Sequence, residues 1–186
     1  MTSTETLPNP DASHATDFSA DLVTRTGFRF HVRPATQDDE EALADFFTHV
    51  TPQDIRFRFL TPLPKVGHAF LERMTKVDHD RTEDFLAFTE DGKTLIATAM
   101  LAADEAKERA EVAISIRTDY KRRGIGWRLL EHVSRYAEAK GIKVLESIEC
   151  RENREAIQLE REMGFTATSY PGDPTLVLVQ KRLGSV

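Results

Sequence analysis

The sequence holds little of what would point to several common functions. It has one cysteine, Cys150, so no internal disulfide framework is available. No apolar run approaches the roughly 18 residues of a membrane span, and the first residues lack the charged start and apolar block of a secretory signal. A cytoplasmic location with no membrane partner is therefore expected. Basic residues form no run beyond Lys121, Arg122 and Arg123, and 25 Lys and Arg against 31 Asp and Glu give a formal charge of −6. That balance argues against a nucleic-acid partner and favours a cationic substrate. The six histidines are scattered; His79 stands between Asp78 and Asp80 with no second ligand cluster, so no metal is expected. Residues 1–26 have few large apolar side chains and are expected to form a flexible tail.

What is present suits one domain over 27–186, with 40% apolar residues and 11 Phe to build its core. Phe28 to Pro34 reads as a first strand. Thr36 and Asp39 form a capping box before a helix with Leu43, Phe46, Phe47 and Val50 on one face. Thr51, Pro52 and Asp54 open a second helix carrying Ile55 and Phe59, and Phe70, Leu71 and Met74 mark a third. Asp91-Gly92 between two apolar runs signals a hairpin. In the next strand, 110–117, Glu111, Ala113 and Ser115 alternate with Val112, Ile114 and Ile116, so its two faces differ in chemistry. A long helix over 124–140, a strand over 142–149, a helix over 153–163 and strands near 165–169 and 175–181 follow. The order β, α, α, α, β, β, β, α, β, α, β, β implies an α/β (α+β) domain with a mixed sheet covered by helices.

Lys121-Arg122-Arg123-Gly124-Ile125-Gly126 joins a strand to the long helix, and no Ser, Thr, Asp or Asn stands just before Gly124 to cap it. The first N–H groups are left for a ligand, Gly124 and Gly126 remove side chains that would hold a phosphate away, and the basic residues add countercharge. On this hexapeptide alone a solvated basic turn fits equally well. A Rossmann fingerprint would need a third glycine where Leu129 stands, and a Walker A loop would end in Gly-Lys-Ser/Thr, which is absent.

Lys121-x-x-Gly124-x-Gly126 following Ile114-Ser115-Ile116 resembles the Gln/Arg-x-x-Gly-x-Gly/Ala acetyl-CoA signature of the GNAT acetyltransferase superfamily. Asn153-Arg154-Glu155-Ala156-Ile157-x-Leu159, ending in Met163-Gly164-Phe165, resembles the segment that follows it there. The stretch from Pro34 to Arg81 is most similar to the acetyltransferase domains of bacterial protein-lysine acetyltransferases. The resemblance implies a mostly antiparallel sheet, flanked by helices, with a bulged, splayed strand, and acetyl-CoA as cosubstrate. It implies that the backbone of Ile114, Ser115 and Ile116 pairs with pantetheine, that Arg122 to Trp127 hold the pyrophosphate, and that Asn153 contacts the cofactor or simply caps its helix. Trp127 either lies on the adenine or covers the helix start. Lys121 replaces the usual Gln or Arg, keeping charge without the planar fork.

An amine must lose its proton before it attacks, and Glu111 is the candidate base, on the face it shares with small Ala113 and Ser115. The related lysine acetyltransferases use a Glu at this point of the strand. The alternative is a strand-end carboxylate paired with Arg109 or Arg117. Many family members place a Tyr as general acid where this chain has Glu160, so no acid is assigned; Ser147 and Cys150 are weaker candidates. The acceptor is expected to be a primary amine, a protein lysine or a small molecule, with a non-catalytic acyl-CoA sensor as the alternative. A monomer and a homodimer are both open.

Overall fold

A computed structural model of the chain describes residues 18–184. The expected tail over residues 1–17 lies outside the described residues. Eight strands form one sheet in the order β1-β2-β3-β4-β5-β6-β8-β7, and every neighbouring pair is antiparallel except β5 and β6. The strands are β1 Ala20–Val23, β2 Arg29–Pro34, β3 Thr82–Thr89, β4 Leu95–Ala103, β5 Arg109–Ile116, β6 Val144–Cys150, β7 Thr166–Ser169 and β8 Leu176–Arg182. The helices are α1 Glu40–Thr48, α2 Pro52–Phe59, α3 His68–Thr75, α4 Ile125–Ala139 and α5 Arg154–Glu162.

β1 corrects the expectation of a flexible tail through residue 26. Its backbone extends the free edge of β2 from Ala20↔Val32 to Val23↔Arg29, Leu22 is buried, and Thr24 Oγ1 accepts from the Phe28 N–H at 3.1 Å. A short edge strand gains its order from ladder hydrogen bonds and one buried side chain, so low apolar content does not exclude it.

The period of two along each strand sorts side chains onto two cores. Phe85, Ala97, Ala99, Leu101 and Val112 pack with Leu129, Leu130 and Val133 of α4 and with Ile157 of α5. On the other face Leu86, Phe88 and Leu95 meet Leu43, Phe46 and Phe47 of α1, Ile55 of α2 and Leu71 of α3. Thus α1–α3 cover one face, and α4 and α5 the other. The α2 start follows its sequence signals: Thr51 Oγ1 accepts from the Asp54 N–H at 3.1 Å, and Pro52 fills the first turn.

A carboxyl group is fully buried under the α1–α3 face. Asp84 is fully enclosed, takes a hydrogen bond from Thr98 Oγ1 at 2.5 Å, and leaves Oδ2 without a partner among the described residues. Burial pushes its carboxyl up to about 7, against the pull of Thr98 and Arg58. Because the folded form holds its proton more tightly than the unfolded one, stability should fall as pH rises from about 4 to about 7. Asp84→Asn should flatten that slope, measured as urea midpoints between pH 4 and 8.

Candidate active site between strands β5 and β6

Among the described residues, the only parallel pair in the sheet is short. β5 and β6 pair from Arg109↔Val144 to Glu111↔Glu146, and from Val112 onward β5 has no partner on that side among the described residues. On its other side β5 stays paired with β4 without a shift from Ala103↔Ala110 to Ala97↔Ile116. The expected splayed strand is present, but its opening is divergence from β6 and not a bulge; the register shift in this region falls between β3 and β4 at Ala87/Phe88. Backbone groups of 112–116 therefore border a gap. A cleft of about 280 Å³ fills it, lined by Ile114, Ser115 and Ile116 on one side and Ile148, Glu149 and Glu160 on the other.

The N-terminus of α4 closes one end of the cleft. Gly124 adopts a left-handed backbone with φ +82°, no side chain caps the helix, and its first turn holds no acidic residue. A Cβ at Gly126 would lie 3.2 Å from Ile116 Cδ1 and 3.4 Å from Leu159 Cδ1, so glycine permits the close approach of α4 to the cleft wall. Free N–H groups and the positive helix end suit a phosphate.

The three basic residues before Gly124 do different things. Lys121 Nζ lies 2.7 Å from both Asp54 oxygens, which ties the turn to α2 and spends its charge internally. Arg123 folds over Tyr120, 4.7 Å from the ring centroid, and donates to the Asp119 carbonyl at 3.2 Å, away from the cleft lining. Arg122 lines the cleft with a side chain 84% exposed, and only Glu155 Oε1, at 3.5 Å, is near it. Of the expected basic cluster, Arg122 is the member whose side chain is exposed at the cleft. Ile125 is buried beneath the turn.

Trp127 packs under Arg25, whose guanidinium lies 4.4 Å from its ring centroid. Both line an adjoining cleft of about 540 Å³ that also includes Arg128 and Arg154 and shares Gly124, Glu155 and Leu159 with the first. Asn153 does not cap α5 with its side chain; its Nδ2 donates to Glu149 Oε2 at 2.8 Å. Arg25, Arg58, Arg154 and Glu149 were not singled out from sequence. Arg25 fell in the expected tail, and nothing in the sequence of α2 shows that Arg58 turns toward β5.

Glu111 is the last β5 residue paired with β6, so it stands where the two strands part. Its side chain opens to the cleft and has no hydrogen-bond or ion-pair partner among the described residues; Arg109 pairs with Glu146, and Arg117 with Asp119 and Asp45. Glu111 remains exposed, and partial burial in the cleft raises its carboxyl above the usual range, with Arg58 pulling down and Glu146 pushing up. Arg58 crosses from α2 into the same cleft, its Nη2 3.5 Å from Met100 Sδ.

The family model for acetyltransferases of the GNAT family matches residues 44–165. The chain belongs to the GNAT acetyltransferase family. It is 27% identical over 149 residues to the acetyltransferase PA5475 of Pseudomonas aeruginosa, a match covering 79% of this chain and 80% of that protein. Its fold superposes on the GNAT domain of S. lividans PAT with TM-score 0.83 and 27% identity, over 89% of this chain and 97% of that one. The Vibrio cholerae spermidine N-acetyltransferase, solved in complex with CoA and spermine, shares the fold at TM-score 0.67 and 14% identity over 82% and 95% of the two chains. Acetyl-CoA-dependent acetyl transfer to an amine is thus the activity of this GNAT chain. Among the described residues no helix is long and apolar enough to cross a membrane.

Proposed function

We propose that the protein transfers the acetyl group of acetyl-CoA to a protein lysine side chain in the cytoplasm, with Glu111 as general base. The observation that carries this reading is the position of Glu111, unpaired at the fork of β5 and β6 on the face covered by α1–α3. A lysine ammonium at pH 7 is neutral in about one molecule in two thousand, so a carboxylate held above its usual range at the point of attack supplies what the reaction lacks. The backbone of Ile114 to Ile116 would hold pantetheine along the gap, the N–H groups from Gly124 to Trp127 with Arg122 would hold the pyrophosphate, and Arg25 and Arg154 offer charge to the nucleotide end.

The lysine acceptor is supported by the similarity of residues 34–81 to bacterial protein-lysine acetyltransferases and by the likeness to the GNAT domain of S. lividans PAT. Glu111, unpaired on the cleft, suits an incoming cation. The test is to give the protein labelled acetyl-CoA with lysine peptides and, separately, with polyamines and amino acids. Label on peptide lysines with small amines at background is expected. Transfer only to small amines contradicts the lysine acceptor, and no CoA release with any amine contradicts catalysis.

A further inference from the structure

The parallel register Glu111↔Glu146 puts those two side chains on one face of the sheet, so Ser147 and Glu149 point to the other. Glu111 thus faces α1–α3, whereas Ser147 and Glu149 face α5, which brings Glu160 against them. Where the strands part, the cleft passes through the sheet with a carboxyl group on each side. Glu160 is 5% exposed; Ser147 Oγ donates to its Oε1 at 2.5 Å, and its Oε2 has no hydrogen-bond partner among the described residues.

That arrangement is poor for an ionised carboxylate. No cation pairs with Glu160 among the described residues, and an ionised carboxylate there would keep a buried oxygen without a partner. The groups beside it are Ser147 and Glu149 from β6; Arg58 from α2 and Glu111 from β5 line the same cleft and act on Glu149. In the protonated form Oε2 becomes an O–H donor at the cleft wall. Burial holds Glu160 at about 7, and burial together with the Glu160 charge lifts Glu149 to about 8, so the two titrate as a pair that retains a proton near neutrality.

Resting on the acetyl-transfer reading, we propose that Glu160 is the general acid, donating its proton to the sulfur of departing CoA. The amine nitrogen bonds to the thioester carbon, and Glu111 takes a proton from the amine. The carbon–sulfur bond then breaks, its electron pair leaves on sulfur, and sulfur takes the Glu160 proton. The products are the amide and the CoA thiol. Glu160 is left as a carboxylate still held by the Ser147 hydroxyl. It regains a proton from Glu149 or solvent, and Glu111 releases its own to solvent.

Single-turnover rates with acetyl-CoA and a lysine peptide, followed from pH 6 to 10, test this. The wild type should lose rate on the alkaline side as the carboxyl pair ionises. Glu160→Gln should be slower by roughly 100-fold at neutral pH, without that alkaline limb, while binding acetyl-CoA as the wild type does in calorimetry. Glu160→Tyr should recover part of the rate, with the limb displaced toward about 10. An unchanged rate and limb in Glu160→Gln, or an unshifted limb in Glu160→Tyr, overturns the assignment. A wild type that releases no CoA with any amine overturns the acetyl-transfer reading as well, so the two failures are distinguishable.

Discussion

Glu111→Gln should lower kcat/KM for a lysine acceptor by roughly 100- to 1,000-fold at pH 7, the usual contribution of a positioned base, with acetyl-CoA affinity unchanged. The substitution keeps the size of the side chain and removes only its ability to take a proton. The pH dependence should change in a diagnostic way. Without the base, the rate follows the fraction of neutral amine, rising about tenfold per pH unit until it nears the lysine pKa of about 10.4. With the base, the rise should occur lower and level off once Glu111 has lost its proton. Its carboxyl is raised by loss of water and held from rising further by Arg58, so that lower limb lies above the ordinary glutamate range. Stopped-flow or single-turnover measurements of both proteins from pH 5 to 10 provide the check.

Gly124→Val should weaken acetyl-CoA binding by roughly 10- to 100-fold, corresponding to about 1–3 kcal/mol of backbone strain. Gly124 stands at φ +82°, where a β-branched residue is strongly disfavoured, and a Cβ there would lie 3.2 Å from Thr24 Cβ. The start of α4 must therefore shift, and its free N–H groups move with it. Titration calorimetry reads the affinity directly, and circular dichroism shows whether the helix content survives. Gly67→Ala makes a fitting control, because Gly67 has an ordinary φ of −86°, a Cβ there meets nothing within 4 Å, and it does not line the cleft.

Much of the architecture was legible because local signals and burial agree. Thr51, Pro52 and Asp54 opened α2 as their chemistry dictates, and the alternation in β5 sorted its residues onto the two faces observed. β1 was missed because its order comes from pairing with β2, a long-range contact that composition does not report. The turn before α4 was marked by its two glycines, yet the fate of its charges was not, since Lys121 answers to Asp54, 67 residues away. Asn153 shows the same limit: next to a helix start it looks like a cap, but the nearby Glu149 carboxylate takes its N–H instead. Glu160 looked from the sequence like a missing group. Only the fold brings Ser147 and Glu149 beside it and makes it a buried carboxyl on the cleft wall.

The central claim is that acetyl-CoA lies in the fork between β5 and β6 with its thioester beside Glu111. A crystal structure of the chain with bound acetyl-CoA tests it most directly. Pantetheine amides within about 2.7–3.2 Å of backbone groups of Ile114 to Ile116, pyrophosphate oxygens at the Gly124 to Trp127 N–H groups, and Glu111 facing the acetyl carbon are the expected result. A cofactor bound outside the fork, or a thioester out of reach of Glu111, contradicts the account.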